Sequence, residues 1–212
     1  MIDPGHGGTN SGARSTSGVY EKRLTLAVSR EVAVRLRKAG LRVLLTRHQD
    51  RYLTLAQRVQ RANRAKAALF VSVHFNASES RSQRGFETYV LSRKAIDKEA
   101  KRLAMGAAQA GRNDDMAAIL TDLRQRALAQ RAGRFASMIQ RGLRKVRGKA
   151  LDRGLRQAPF DVLLGLQMPG VLVELGFIDH PVEGLQMLRR SVQQDLAKAL
   201  AVAIKRFLRT AD

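Results

Sequence analysis

The chain has 212 residues, 44% of them apolar and 27% charged, which suits one globular domain with a substantial core. It contains no cysteine, so disulfides and thiolate metal sites are excluded, and it has no apolar run of about 18 residues that would form a transmembrane helix. Lys and Arg number 39 against 18 Asp and Glu; the formal charge of +21 favours a polyanionic partner, but with 5% aromatic residues and no Trp there is little material for stacking single-stranded nucleic acid.

Ile2-Asp3-Pro4-Gly5-His6-Gly7-Gly8 reads as a short strand stopped by proline, then a glycine-rich turn that lets the backbone approach a bound group, with His6 pointing into the opening. The strand is so short at its leading end that a trimmed chain is expected, and no leader of the secretory type is discernible. Residues 9–18 continue as a polar loop. Leu24, Ala27, Val28, Val32 and Leu36 then recur at helical spacing, with Gly40 as the stop, and this places Glu21 in the first turn of a helix.

Residues 41–46 read as a strand, 54–66 as a second amphipathic helix, and 69–74 as a strand buried on both faces that ends at His74. A further strand covers 85–91. From 92 to 153 the sequence turns Ala- and Arg-rich, with a long apolar stripe and a bend expected at Gly133; it reads as a helical insertion within a single domain spanning 1–212. The core pattern resumes with strands at 160–164 and 171–174, and two helices, 181–190 and 191–209, close the chain. Strands alternating with helices predict an α/β fold, a mostly parallel or mixed central sheet flanked by helices.

His6, His74 and Glu174 all fall at carboxyl ends of strands, the edge where open α/β sheets bind ligands. Two histidines and the helix-start carboxylate of Glu21 make a three-ligand set of the kind catalytic zinc sites use, leaving Glu174 to move protons. Each has an ordinary reading when taken alone: a solvated turn histidine, a hydrogen-bonded strand end, a carboxylate favoured by the helix dipole. His48, in a polar turn, reads as solvated, and His180 as lying near the rim of the cleft. Two rival functions remain at this level: a basic nucleic-acid-binding α/β domain with structural histidines, and a zinc hydrolase of another amide.

The segments Asp3-Pro4-Gly5-His6-Gly7-Gly8, Tyr20-Glu21-Lys22, Leu45-Thr46-Arg47, Val73-His74-Phe75-Asn76-Ala77, Gly85-Phe86-Glu87-Thr88-Tyr89, Gln157-Ala158-Pro159-Phe160 and Val173-Glu174-Leu175-Gly176-Phe177-Ile178 run in a familiar order. In them the chain resembles the zinc-dependent N-acetylmuramoyl-L-alanine amidases, with a catalytic domain of the amidase_3 type, over all but the inserted helices. The resemblance implies one Zn2+ ion bound by His6, Glu21 and His74, with Glu174 as catalytic acid/base. It implies hydrolysis of the amide between N-acetylmuramic acid and L-alanine in peptidoglycan, for wall remodelling or daughter-cell separation, in a periplasmic or extracytoplasmic setting. Peptidoglycan, not nucleic acid, is then the partner. Asn76 reads either as a residue that orients substrate or a ligand, or as a loop cap. Asn10 stands where the family usually has an acidic residue. For the insertion, the resemblance implies autoinhibition, with a carboxylate masking the zinc until a protein activator docks there; Asp114 or Asp115 could serve, or could cap the following helix.

Overall fold

A five-stranded sheet in the order β1-β2-β5-β3-β4 forms the centre of the structure, a computed structural model that describes residues 1–109 and 115–210. Strands β1 (Ile2–Pro4), β2 (Phe70–Asn76) and β5 (Gly170–Phe177) are parallel; β3 (Phe86–Leu91) runs antiparallel to β5, and β4 (Asp152–Ala158) lies parallel to β3. The α/β class and the mixed sheet are as expected. β2 is apolar on both faces because both are covered. Val71, Val73 and Phe75, with Val171, Val173 and Leu175 of β5, face a layer of α1 (Glu21–Lys38), α4 (Asp115–Arg147) and α6 (Arg190–Arg209). Phe70 and Leu172 face the other way, towards α2 (Leu55–Arg64) and a 3₁₀ turn at Asp161–Leu163. Thr54 and Gln57 close α2 with a reciprocal capping box, which satisfies two otherwise orphaned main-chain donors.

Two expectations are corrected. Residues 41–46 lie beside β1 but form only one parallel bridge, Ile2 to Leu45. The ladder cannot continue because Pro4 has no N–H to donate, and the carbonyl of Thr46 accepts instead from Arg61. Residues 160–164 do not form a strand; the chain turns at Asp161–Leu163, and Val162 and Leu163 plug the cluster around Phe70. An apolar run of that length does not by itself distinguish a strand from a buried turn. α4 runs as one continuous helix from Asp115 through Gly133 to Arg147.

The helical region also does more than decorate. β3 and β4 are parallel neighbours, so the chain must return to the edge it left, and such a crossover is usually a helix. After α3 (Arg93–Gln109), α4 makes that return, with Phe135, Ile139 and Leu143 fully buried beneath α6. Residues 92–153 therefore hold a core helix and the first residues of β4, an edge strand whose Arg-rich, half-exposed sequence hid it from periodicity.

Candidate metal centre

Because β1, β2 and β5 are parallel, their carboxyl ends share one edge. There, His74 and Glu174 are register partners across β2 and β5, and the loop after β1 brings in His6. Glu21 joins them from the start of α1. His6 Nε2 lies 2.9 Å from Glu21 Oε2, and His74 Nδ1 lies 3.0 Å from Glu21 Oε1. One ligand atom from each of the three residues lies within 4.8 Å of the others.

The main chain holds this arrangement from several sides. Both carboxylate oxygens of Glu21 accept from backbone, Oε1 from Phe75 N and Oε2 from Ala13 N, each at 3.0 Å. A side chain at Gly5 would place its Cβ 2.3 Å from the His74 ring, so only glycine lets that ring sit there. His6 itself has φ of 58°, a left-handed conformation that costs a residue with a Cβ about 1–2 kcal/mol. Two buried arginines clamp that turn. Arg58 donates to the carbonyls of Pro4 and His6, both at 2.7 Å, and to Asp3 Oδ1 at 2.8 Å. Arg47 donates to Gly5 O at 2.7 Å and to Pro4 O at 3.1 Å.

The donor set fits a divalent metal of zinc's kind. His6 Nδ1 lies 2.8 Å from Asn10 Oδ1, an oxygen acceptor that favours a proton on Nδ1 and makes Nε2, which faces Glu21, the nitrogen that would bind a metal once its own proton is lost. Two imidazole nitrogens and one carboxylate oxygen, with space beside them, match the three-ligand pattern of catalytic zinc. Burial alone would raise the pKa of Glu21, but hydrogen bonds from His6 and His74 and their charges outweigh it and hold the carboxyl well below the usual range. Glu174 is pushed the other way, well above the usual range, first by burial and then by the charges of Glu21 and Glu87. Its Oε2 is shut off from solvent with no hydrogen-bond partner among the described residues.

The cleft at this edge has a volume of about 590 Å³ and extends over the α2 face of the sheet, along Leu172 and Glu174, between Tyr52 to Leu55 on one rim and Pro159 to Val162 on the other. Asn76 lines it and donates through Nδ2 to Glu87 Oε1 at 2.8 Å. Glu87 is the residue sequence reasoning passed over. It is the register partner of Glu174 on β3, is buried, and also meets Arg153 Nε at 3.4 Å. The signal was a carboxylate inside the otherwise uncharged strand 85–91.

Other candidates fall away from the cleft. His48 is exposed. His180 Nδ1 accepts from the main-chain N–H groups of Val182 and Glu183, so it opens α5 (Glu183–Leu188) and does not face the cleft. Asp114 lies outside the described residues; Asp115 is the first residue of α4, and only its backbone is described. None of the described residues of α3 or α4 lines the cleft.

Residues 1–206 match the family model Amidase_3, N-acetylmuramoyl-L-alanine amidase. The chain is 30% identical to the N-acetylmuramoyl-L-alanine amidase AmiC of Neisseria meningitidis over 99% of its own length and 52% of that protein's. It spans about half the length of the first curated relatives it matches. Among solved structures it resembles the catalytic domain of the amidase CwlV from Bacillus (Paenibacillus) polymyxa, with a TM-score of 0.77 at 30% identity, covering 98% of this chain and 96% of that one. The amidase AmiC2 of Nostoc punctiforme is similar to the same degree, with a TM-score of 0.77 at 27% identity over 98% and 95% of the two chains. The fold, the convergence of His6, Glu21 and His74 at one sheet edge and these matches agree: the chain belongs to the Amidase_3 family of N-acetylmuramoyl-L-alanine amidases.

Proposed function

We propose that this chain hydrolyses the amide between N-acetylmuramic acid and L-alanine in peptidoglycan, with one zinc ion held by His6, Glu21 and His74 and with Glu174 as the acid/base. The observation that carries the reading is the convergence of those three candidate ligand atoms beside a carboxyl whose Oε2 has no hydrogen-bond partner among the described residues. When bound, zinc polarises the amide carbonyl and lowers the pKa of a water towards ~7. Glu174 then has the proton work. With a cation held by His6, Glu21 and His74, Glu174 would ionise despite Glu21 and Glu87, take a proton at its carboxylate from the attacking water, and hand it to the departing amide nitrogen. Asn76, fixed by Glu87, is placed to hydrogen-bond the substrate in the cleft.

Regulation is assigned to the α3–α4 hairpin, in a form that differs from a plug over the ligands. The outer part of the hairpin exposes Met105, Ile119, Leu120 and Leu123, an apolar surface suited to a protein activator. Closer to the sheet, Ile96 and Leu128 share a cavity with Leu163 and Leu166, which follow the cleft residues Asp161 and Val162. Autoinhibition in this reading acts through the 160–166 segment. Wall remodelling at cell separation, outside the cytoplasm, is the setting in which such control is useful.

Digestion of purified peptidoglycan followed by mass analysis tests the reaction. The expected products are free stem peptides beginning with L-alanine and glycan strands with an intact lactyl group. Cleavage at any other amide contradicts the reading. Removing residues 101–127, which leaves the buried half of α4 in place, should raise the rate; a folded, zinc-loaded protein that is no faster would assign regulation elsewhere.

A further inference from the structure

On the face of the molecule away from the cleft, two stripes of cations run along neighbouring helices. Arg134, Arg141 and Lys145 on α4 are all exposed, and so are Lys198, Lys205 and Arg209 on α6. Both sets recur at i, i+7 and i+11, which keeps each on one side of its helix, spanning about 16 Å. In each helix that side lies opposite the buried one, which on α4 is marked by Phe135, Ile139 and Leu143. None of the six cations has an ion-pair partner among the described residues. The helices lie close together, for a Cβ at Gly142 of α4 would come within 3.4 Å of the carbonyl of Ala199 on α6. Carboxylates are scarce here: α4 has none beyond Asp122, and α6 has only Asp195. Val202, 58% exposed, sits within the α6 stripe.

We propose that the α4–α6 face docks this protein on an anionic lipid surface. Three observations favour a membrane over a wall polymer. The cations are spread over a broad helical layer, not gathered in a groove that would follow a strand. An exposed valine among them can enter the boundary between headgroups and acyl chains. Most decisively, Leu172 and Glu174 face the α2 side of the sheet, whereas Val171, Val173 and Leu175 face α4 and α6. A glycan strand held on the α4–α6 face would lie behind the sheet from Glu174 of the same molecule. A bilayer bound there leaves the cleft turned outward, to material lying over the membrane. The proposal goes beyond the amidase reading and does not depend on the bond cleaved.

The test is cosedimentation of the full chain with vesicles of equal parts phosphatidylglycerol and phosphatidylethanolamine, and with phosphatidylcholine vesicles, at physiological ionic strength. Binding is expected to the anionic vesicles alone. Each basic residue near such a surface contributes roughly fivefold, so K198Q/K205Q/R209Q should weaken binding about a hundredfold. The α4 triple R134Q/R141Q/K145Q should do the same, which guards against one variant failing to fold. The control R64Q/K94Q/K98Q removes the same charge from the α2–α3 side and should cost less than about threefold. Thermal melting and hydrolysis of a soluble muropeptide should be unchanged in all three. Equal losses in all triples would show that net charge alone acts and would overturn the proposal. So would failure to bind anionic vesicles, or loss of binding to lipid-free sacculi with vesicle binding intact, which would assign the face to a wall polymer. Failure of the muropeptide to be cut would overturn the amidase reading and leave the vesicle result standing.

Discussion

Asn10 is exposed, yet its Oδ1 lies 2.8 Å from His6 Nδ1, where an acceptor favours the tautomer that leaves Nε2 for a metal. Removing its oxygen frees the ring to adopt the wrong tautomer, so Asn10→Ala should lower zinc affinity about 10–100-fold while Asn10→Asp restores it. Competition against a chelator measures this; equal affinity in all three proteins would show that Asn10 does not orient the ring. Glu174 supplies a second prediction through its raised pKa. Between the ordinary carboxylate pKa of about 4.3 and the folded value, the native state holds a proton that the unfolded state has lost, so stability falls as pH rises through that window. Glu174→Gln removes the dependence. In the metal-free protein it should melt above wild type at neutral pH, with the gap closing towards pH 4, where ~1 kcal/mol corresponds to about 2–4 °C for a chain of this size. A gap that widens on acidification would contradict the assignment. With zinc, the same variant should keep the metal and lose about 10²–10⁴ of the rate. His6, Glu21, His74 and Glu174 could be picked out as candidates because each stands in a short local pattern, a glycine-rich turn, a helix start or the carboxyl half of an apolar strand, although β2 and β5 run on past His74 and Glu174 to Asn76 and Phe177. Arg58 was not, since its partner Asp3 lies 55 residues away and only the folded sheet brings them together.

At the scale of elements, α4 has two characters. Phe135, fully buried and in ring contact with Phe207 of α6, belongs to the core, whereas Leu123 is 56% exposed on the same helix. Phe135→Ala should destabilise the protein by about 3–5 kcal/mol, and Leu123→Asn by no more than ~0.5 kcal/mol, as read from urea denaturation. Similar effects for both would mean that α4 is packed, or free, along its whole length. The apolar stripe of 92–153 looked uniform because periodicity reports which side of a helix is apolar, not what covers it. β4 was missed for the converse reason, since an edge strand of Arg, Gly and Gln carries no apolar alternation. The strands legible at 69–74, 85–91 and 171–174 are the three interior strands of the sheet.

For the whole molecule, the parallel run of β1, β2 and β5 carries His6, His74 and Glu174 to one edge, and the antiparallel β3 adds Glu87 beside Glu174. A ligand that binds only the folded chain stabilises it by mass action, so saturating zinc should raise the melting temperature and chelation should reverse the rise. The most direct test of the account is zinc content together with the metal's coordination, measured on wild type, His74→Ala and Glu174→Gln. One zinc per chain is expected in wild type and in Glu174→Gln, with two nitrogens and one carboxylate oxygen from the protein at ~2.0–2.2 Å, and no retained zinc in His74→Ala. A fully loaded His74→Ala protein, or loss of the metal from Glu174→Gln, would contradict it.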